Sequence, residues 1–265
     1  MSASPSVSID VAEAASILLD AEGKKITCPQ LTRKWPSMTV ADAYAVQAEA
    51  LKRRIDRGEK LIGIKLGLTS KAKQIQMKVD SSTTAWLTDA MRVNEGVLPH
   101  GAAAHPRCEP EIVVTIGKRL AGPGVKMADA LAAIAEVRCG IEILDSRYAD
   151  FKFTLPDVIA DNASSGRFVF GHTAIPGDRI DLAAEECALK INGKQVASAN
   201  GAAVLGHPAE AIAWAANFLA GRGLQIEAGW VVMTGGMTDA FHLEPGSEIA
   251  AEFAHLGAVR IERGE

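Results

Sequence analysis

Two amphipathic helices are predicted at the start of the chain. In residues 10–23, apolar side chains recur at the three- and four-residue spacing of one helical face. Residues 37–58 repeat that pattern behind Thr39 and Asp42, a pair with the character of a capping box, and end in a basic last turn. Both segments favour a helical layer that precedes the rest of the fold.

From about residue 60 the pattern changes to β-branched and alternating runs, which are typical of strands. The clearest is a hairpin over 187–199, whose two runs are joined by Asn192-Gly193, the dipeptide that type I′ turns prefer. Because helices cluster early and strands dominate later, we predict an α+β protein with a mixed or antiparallel sheet. The other predicted elements are helices over 127–138 and 209–223 and strands over 61–70, 111–120, 140–146, 229–236, 247–257 and 258–264.

Length and composition indicate one large domain, or one domain with a smaller helical appendage. The chain has 265 residues, of which 48% are hydrophobic, and this is enough for a sizeable core. We predict a flexible, Ser/Pro-rich tail over 1–8 and a single domain over 9–265. That domain divides into the helical layer, 9–58, and a β-rich catalytic core, 60–265.

The charge, the hydropathy and the cysteine content exclude several classes of protein. The net charge of −4 gives no basic surface for nucleic acid. Neither a secretory signal nor an uncharged apolar run of membrane-spanning length is visible, so we expect a cytoplasmic protein without a membrane partner. The four cysteines lack a CxxC pair, which favours free, mostly buried thiols.

The first candidate for chemistry is Glu109-Pro110-Glu111, which precedes the β-branched run Ile112-Val113-Val114. Residues i and i+2 of a strand face the same side, so the two carboxylates converge and a divalent cation would relieve their repulsion. Pro110 cannot donate to a ladder, which places the pair at a strand start or an edge. A solvated strand end without metal is the alternative.

A third carboxylate, Glu142, interrupts the apolar run 140–144. Together with Glu109 and Glu111 it gives an all-oxygen ligand set, which suits Mg²⁺ or Mn²⁺ rather than zinc. The alternative is that Glu142 is an ion-pair partner of Arg147 or Arg138.

Lys65 lies within an apolar predicted strand, where a lysine needs a partner and could bind a carboxylate or lose its proton. Asp80 is a possible acid/base partner, or else a turn cap for Ser81 and Ser82.

Further candidates for substrate binding lie in polar segments. They are Lys152, the loop 161–167 with Ser164, and the turn 233–238 with Thr234 and Gly235, whose backbone N–H groups could bind an anion. The scattered histidines are more typical of caps and core positions than of catalytic bases, and a GxSxG motif is absent from the sequence.

These motifs, in their order, resemble a known family. GIKLGLTS, HPRCEPEI, IEILDSRYADFKF, VIADNASSGRFVFG, GAAVLGHPAEAIAW and WVVMTGGMTDAF are similar to the 4-oxalocrotonate decarboxylase / 2-oxopent-4-enoate hydratase group of the fumarylacetoacetate hydrolase-like superfamily. The TGG-x-T turn resembles the decarboxylases, whereas SSTTAWLTDAM departs from the group by lacking its aromatic-glycine pair.

The resemblance implies a mixed β-roll or barrel with a helical N-terminal part and a Mg²⁺ (or Mn²⁺) site on Glu109, Glu111 and Glu142. It assigns Lys65 and Asp80 to catalysis. The implied reaction is decarboxylation of the dicarboxylate 2-oxo acid (E)-2-oxohex-3-enedioate in meta-cleavage of aromatic compounds. Hydration of 2-hydroxypenta-2,4-dienoate and a non-catalytic partner subunit are the alternatives. A homo-oligomer and a complex with the pathway hydratase are the implied assemblies.

Overall fold

The computed structural model describes residues 8–70, 74–75, 79, 81–93 and 96–265. The predicted tail, apart from its last residue, and Asp80 lie outside the described residues. Helices α1 to α6 are Val11–Lys24, Leu31–Lys34, Val40–Asp56, Met127–Ala133, Leu155–Ala160 and Pro208–Ala220. Strands β1 to β13 are Leu61–Gly67, Thr83–Thr88, Val97–Leu98, Arg107–Ile116, Ile134–Leu144, Ser165–Phe170, Ile175–Pro176, Glu186–Ile191, Lys194–Asn200, Val231–Met233, Phe241–His242, Glu248–Phe253 and Gly257–Arg263.

Side-chain caps explain where the long helices begin. The predicted capping box of α3 is confirmed: the Thr39 hydroxyl accepts from the Asp42 backbone N–H at 3.1 Å, and the Asp42 carboxylate accepts from the Thr39 N–H at 2.9 Å. His207 caps α6 through Nδ1, which accepts from the Ala209 N–H at 3.0 Å. None of the described helices is long and apolar enough to cross a bilayer.

The strands of the described chain form two sheets. The larger has the order β2-β1-β10-β4-β5-β6, with β11 added to β4 and β7 to β5; the smaller has the order β3-β13-β12-β8-β9. Pairs β1·β10 and β13·β3 are parallel and the others are antiparallel. The predicted α+β class with a mixed sheet and a helical N-terminal part is therefore confirmed.

The two largest hydrophobic clusters of the described residues hold the layers together. The larger lies between the two sheets and helices α4 and α6, with Ile112, Ile141 and Ile212 completely buried. The smaller joins α1 and α3 to the segment around Tyr148 and Ile159. The N-terminal helices thereby cover the chain that leads out of β5, which is where the cleft described below opens.

The strand that carries the first acidic pair begins earlier than predicted. We expected 111–120, whereas β4 spans Arg107–Ile116, so Glu109 and Glu111 lie inside it. Strand β11 pairs with Arg107 and Cys108 only, and β10 pairs from Val113 onwards, which leaves a gap on one side of β4. Pro110 faces this gap, because its carbonyl accepts from Met237 N–H there at 3.0 Å. Pro110 has no backbone N–H, and its position at this gap means that no hydrogen bond between strands is lost.

The helix predicted over 127–138 is wrong in its second half. Helix α4 ends at Ala133, and Ile134 opens the long strand β5. Residues 134–138 pair with β4, for example Val137 with Val114. Tertiary pairing of β-branched residues here outweighs the helical propensity of the alanines.

The predicted hairpin over 187–199 is confirmed as β8 and β9. Asn192 and Gly193 both have positive φ, 49° and 78°, as a type I′ turn requires. All four cysteines are free thiols, as predicted. Burial raises the pKa of the Cys28 thiol to about 11, which keeps it protonated and unreactive near neutral pH.

Candidate metal centre and substrate cleft

Three carboxylates meet on one face of the larger sheet. Glu109 and Glu111 lie two residues apart on β4, and the register of β4 with β5 places Glu142 directly opposite Glu109. The three side chains offer oxygens that all lie within 4.8 Å of one another. Glu109 is 6% exposed, Glu111 0% and Glu142 1%, so the alternative of a solvated strand end is excluded.

Burial makes this cluster unfavourable without a cation. Loss of water raises the pKa of Glu111 well above its ordinary value, and the nearby charges of Glu142 and Glu109 raise it further. Burial also raises the pKa of Glu142, even though the Lys65 ammonium opposes the shift. Like charges directly opposite each other destabilise a strand pair, so this position of the sheet is suited to a bound cation.

The open oxygens of the cluster fit a hard divalent metal. Within the described chain, Glu111 Oε1 and Glu142 Oε2 are buried and accept no hydrogen bond. The second oxygen of each is already held: Glu111 Oε2 accepts from the Gly235 N–H at 2.8 Å, and Glu142 Oε1 accepts from the Ser165 hydroxyl at 3.1 Å. Buried carboxylates with open oxygens, such as those of Glu111 and Glu142, are the donor chemistry that Mg²⁺ or Mn²⁺ prefers.

A pair of glycines after β10 allows the chain to pass against this cluster. A Cβ on Gly236 would lie 2.2 Å from the carboxyl carbon of Glu109. Gly235 has φ +113°, and a Cβ there would lie 1.8 Å from the Thr69 hydroxyl oxygen. Only glycine satisfies both conditions, because the backbone must approach the carboxylates directly.

Lys65 reaches the same cluster from β1. Its Nζ lies 2.8 Å from Glu142 Oε1 and donates to the Ala163 carbonyl at 2.7 Å. Strands β1 and β5 are separated by β10 and β4, so on a flat sheet they would be about 14 Å apart. Their contact results from the curling of the sheet into a half-barrel. Glu142 is therefore the partner of Lys65, whereas Arg147 pairs with Asp161 and Arg138 with Glu136.

A left-handed turn completes the wall around Lys65. Asn162, Ala163 and Ser164 have φ values of 50°, 51° and 58°, an unfavourable conformation for three consecutive non-glycine residues. The Asn162 side chain holds the turn by accepting from Trp86 N–H at 2.8 Å and donating to Trp86 O at 2.9 Å. The turn directs the Ala163 carbonyl at Lys65 and buries the Ser164 hydroxyl, which has no hydrogen-bond partner among the described residues.

A cleft of about 370 Å³ opens above the carboxylates. Its floor holds Glu109 and Lys65, with Ser164 beside them. Apolar side chains form much of the remaining wall. The other lining residues are Gly67, Leu68, Thr83, Arg107, Leu144, Phe151, Phe153, Val158, Ala163, Asp239 and Ala240.

Comparison with known proteins agrees with this arrangement. Residues 60–262 match the fumarylacetoacetate (FAA) hydrolase C-terminal family. A 4-oxalocrotonate decarboxylase of Pseudomonas putida is 42% identical over 231 residues, which cover 87% of this chain and 88% of that protein. This chain belongs to the fumarylacetoacetate hydrolase family.

Within that family the similar proteins include two kinds of lyase. A 2-hydroxyhexa-2,4-dienoate hydratase of Comamonas testosteroni is 38% identical, covering 89% of this chain and 90% of its own. The solved structure of 4-oxalocrotonate decarboxylase from Pseudomonas putida G7, complexed with magnesium and adipate, superposes with a TM-score of 0.93 at 40% identity, covering 96% of this chain and 97% of that one. The family resemblance predicted from the sequence is confirmed.

Other predicted site residues of this family member lie away from the cleft wall. Lys152 is 75% exposed and pairs with Asp150 at 3.1 Å. The Thr234 hydroxyl is buried and donates to the Ile112 carbonyl at 2.9 Å. Gly235 contacts Glu111 rather than the open space of the cleft. Thr234 and Gly235 therefore lie behind the carboxylates, and Lys152 lies at the surface.

Sequence reasoning missed several side chains around the cleft. Arg107 and Asp239 line it, and Phe151 forms part of its wall. Arg107 could have been predicted from the sequence, because it lies two residues before Glu109 on one strand and so faces the same side. The others depend on turns and on strand register, which have no short-range signature.

The raised carboxyl pKa values predict opposite pH responses with and without metal. A carboxyl group whose pKa is raised by folding stabilises the protein while it is protonated, so the metal-free protein should lose stability as pH rises through that pKa. Metal must displace those protons, so Mg²⁺ affinity should increase over the same range. Melting temperatures from about pH 5 to about pH 8, with chelator and with Mg²⁺, should diverge as pH rises. An equal Mg²⁺-induced shift at all pH values would contradict this.

Proposed function

We propose that this protein catalyses the metal-dependent decarboxylation of (E)-2-oxohex-3-enedioate to 2-hydroxypenta-2,4-dienoate, in the meta-cleavage of aromatic compounds. The observation that carries the proposal is the buried cluster of Glu109, Glu111 and Glu142 facing Lys65 at the floor of a largely apolar cleft. The similarity to 4-oxalocrotonate decarboxylases over most of the chain supports the same assignment.

The carboxylates hold the group that the reaction needs. A Mg²⁺ or Mn²⁺ ion bound by Glu109, Glu111 and Glu142 would supply Lewis-acid stabilisation at the C1 carboxylate and C2 carbonyl oxygens of the substrate. Ser165 and the Gly235 N–H fix the orientation of Glu142 and Glu111, so the ligand oxygens are arranged before metal and substrate arrive.

The electrons released by decarboxylation travel to the C2 oxygen. As the C5–C6 bond breaks and CO₂ leaves, its electron pair forms the C4–C5 double bond, the C3–C4 pair shifts to C2–C3, and negative charge arrives at the C2 oxygen. Lys65 carries three N–H donors, of which Glu142 and the Ala163 carbonyl occupy two. The third can donate to the C2 oxygen and deliver the proton that yields the enol product.

The remaining residues at the floor and wall orient the substrate. Ser164 is 3% exposed, its hydroxyl has no partner within the described part of the chain, and it can donate to a substrate carboxylate or carbonyl oxygen. Leu144, Phe153 and Val158 give the wall an apolar character. Such a wall excludes water from the bound substrate and so strengthens the polar contacts that hold it.

Hydration of 2-hydroxypenta-2,4-dienoate is the second candidate, because hydratases are also close relatives. The test is to supply Mg²⁺-loaded protein with each substrate and follow CO₂ release and hydration separately. We expect CO₂ release from 2-oxohexenedioate that stops when the metal is removed by chelation. Hydration without CO₂ release would overturn the decarboxylase assignment, and the absence of both activities would favour a non-catalytic partner subunit.

Assembly forms part of the same proposal. We infer a homo-oligomer that associates with the hydratase of the pathway, since relatives of both enzyme types share this fold and most of its length. Light scattering of the protein alone and mixed with that hydratase would measure the molar mass of each assembly. A monomer that does not bind the hydratase would contradict the inference.

A further inference from the structure

We infer that Arg107 binds the carboxylate of the substrate that is remote from the metal and so selects dicarboxylates over monocarboxylates. This inference rests on the proposed function and deepens it, because decarboxylation requires the second carboxylate that hydration does not. Four features of the described residues support it.

The first feature is position. Arg107, Glu109 and Glu111 alternate along β4, so their side chains leave the same face of the sheet. Residues two apart on an antiparallel strand are separated by about 6.8 Å, which matches the extent of a six-carbon diacid with one end at the carboxylate cluster. Arg107 and Glu109 line the same cleft.

The second feature is an unsatisfied cation. The Nε of Arg107 is buried and has no hydrogen-bond partner among the residues that the structure describes. Within the described ranges, its guanidinium has no carboxylate at ion-pairing distance, and this includes Asp239, which also lines the cleft. An unpaired buried donor on a charged group is costly and is typical of a site awaiting an anionic ligand.

The third feature is that the guanidinium is held in place. It stacks on Phe151, with its carbon 4.1 Å from the ring centroid. His105 contacts the same ring with centroids 4.8 Å apart and is itself fixed by a 2.6 Å hydrogen bond between Nε2 and the Ser146 carbonyl. Asp150 and Phe151 both have positive φ, so the chain accepts local strain to present this ring.

The fourth feature is that the other cationic side chains nearby are already paired with carboxylates. Lys65 is already paired with Glu142, and Lys152 lies at the surface with Asp150. Arg107 is therefore the cleft-lining cation, among the described residues, whose charge is not matched by a protein carboxylate. Its planar, forked guanidinium also suits bidentate binding of a carboxylate.

The mechanism specifies which kinetic constant Arg107 should affect. A carboxylate that leaves as CO₂ loses its charge on the way to the transition state, so a contact with Arg107 stabilises the bound substrate at least as well as the transition state. Removal of such a contact raises KM and does not lower kcat. A group required for the chemistry itself would lower kcat instead.

The test is Arg107→Met, which keeps a long apolar side chain on Phe151 but removes the charge. We expect the affinity of the Mg²⁺-loaded protein for adipate to fall by about 10- to 100-fold. The KM for 2-oxohexenedioate should rise by a similar factor. Pyruvate, a 2-oxo monocarboxylate, should bind as in the wild type, and kcat should not fall. Arg107→Lys should restore part of the adipate affinity.

Arg92→Met is the matched control. Arg92 also stacks on a phenylalanine, Phe170, at 5.5 Å, but it lies outside the lining of the cleft. Unchanged adipate binding in Arg107→Met, or an equal loss for adipate and pyruvate, would overturn the inference. Calorimetric binding does not require turnover. A wild type that binds adipate through Arg107 but releases no CO₂ would therefore refute the proposed reaction alone.

Discussion

Glu142→Gln is expected to abolish metal-dependent activity and to weaken Mg²⁺ binding by more than about 100-fold, since loss of outer-sphere partners alone costs 10- to 100-fold. The substitution removes the charge of one of three convergent carboxylates and one of the open oxygens at the site. Glutamine retains an oxygen that can accept from Lys65 and Ser165, so the fold should persist. Calorimetric titration with Mg²⁺ and the CO₂-release assay measure the two effects.

The stability of the variant separates a ligand role from a structural one. In the metal-free protein, Glu142→Gln relieves the repulsion that raises the pKa of Glu111 but also removes the charge that pairs with the buried Lys65 ammonium. The change in melting temperature in chelator therefore measures the structural role of Glu142 separately from the loss of Mg²⁺ affinity. Glu136→Gln is the control, because Glu136 lies on the same strand at the surface and pairs with Arg138. Wild-type Mg²⁺ affinity in Glu142→Gln would remove this residue from the ligand set.

The convergence of the acidic pair could be predicted because it depends on a local rule. Alternation along a strand places Glu109 and Glu111 on one face whatever the rest of the fold does. The same rule applied two residues earlier would have found Arg107. The polar segment around Lys152 instead predicted a substrate-binding residue there, although this side chain is exposed and follows the left-handed residues Asp150 and Phe151.

Contacts between distant strands could not be predicted in this way. The pairing of Glu142 with Glu109 depends on the register of β4 and β5, and that register begins in residues 134–138, which the alanine-rich pattern assigned to a helix. The approach of Lys65 to Glu142 depends on the curl of a whole sheet. Such contacts depend on how the whole sheet pairs and curls. A single sequence indicates them only through its resemblance to a family.

Gly236→Ala is expected to disrupt the metal site by steric conflict while leaving all three carboxylates in the sequence. A Cβ at this position would lie 2.2 Å from the carboxyl carbon of Glu109, inside any permitted contact. Either Glu109 must rotate away or the turn after β10 must shift. A shift of the turn would also pull the Gly235 N–H away from Glu111, to which it donates at 2.8 Å. Both outcomes displace a ligand, so Mg²⁺ affinity and kcat should fall together by about 100-fold or more.

The effect on folding should be no larger in free energy than the effect on the metal site, and it can be measured separately. Insertion of one methyl group into a packed region costs about 1–3 kcal/mol, which denaturant unfolding of the metal-free protein would measure. Gly221→Ala is the matched control, because a Cβ there meets only the Phe218 carbonyl oxygen at 3.5 Å, an ordinary contact. Normal Mg²⁺ affinity in Gly236→Ala would contradict this prediction, because it would show that the turn and Glu109 accommodate the added methyl group without loss of the metal.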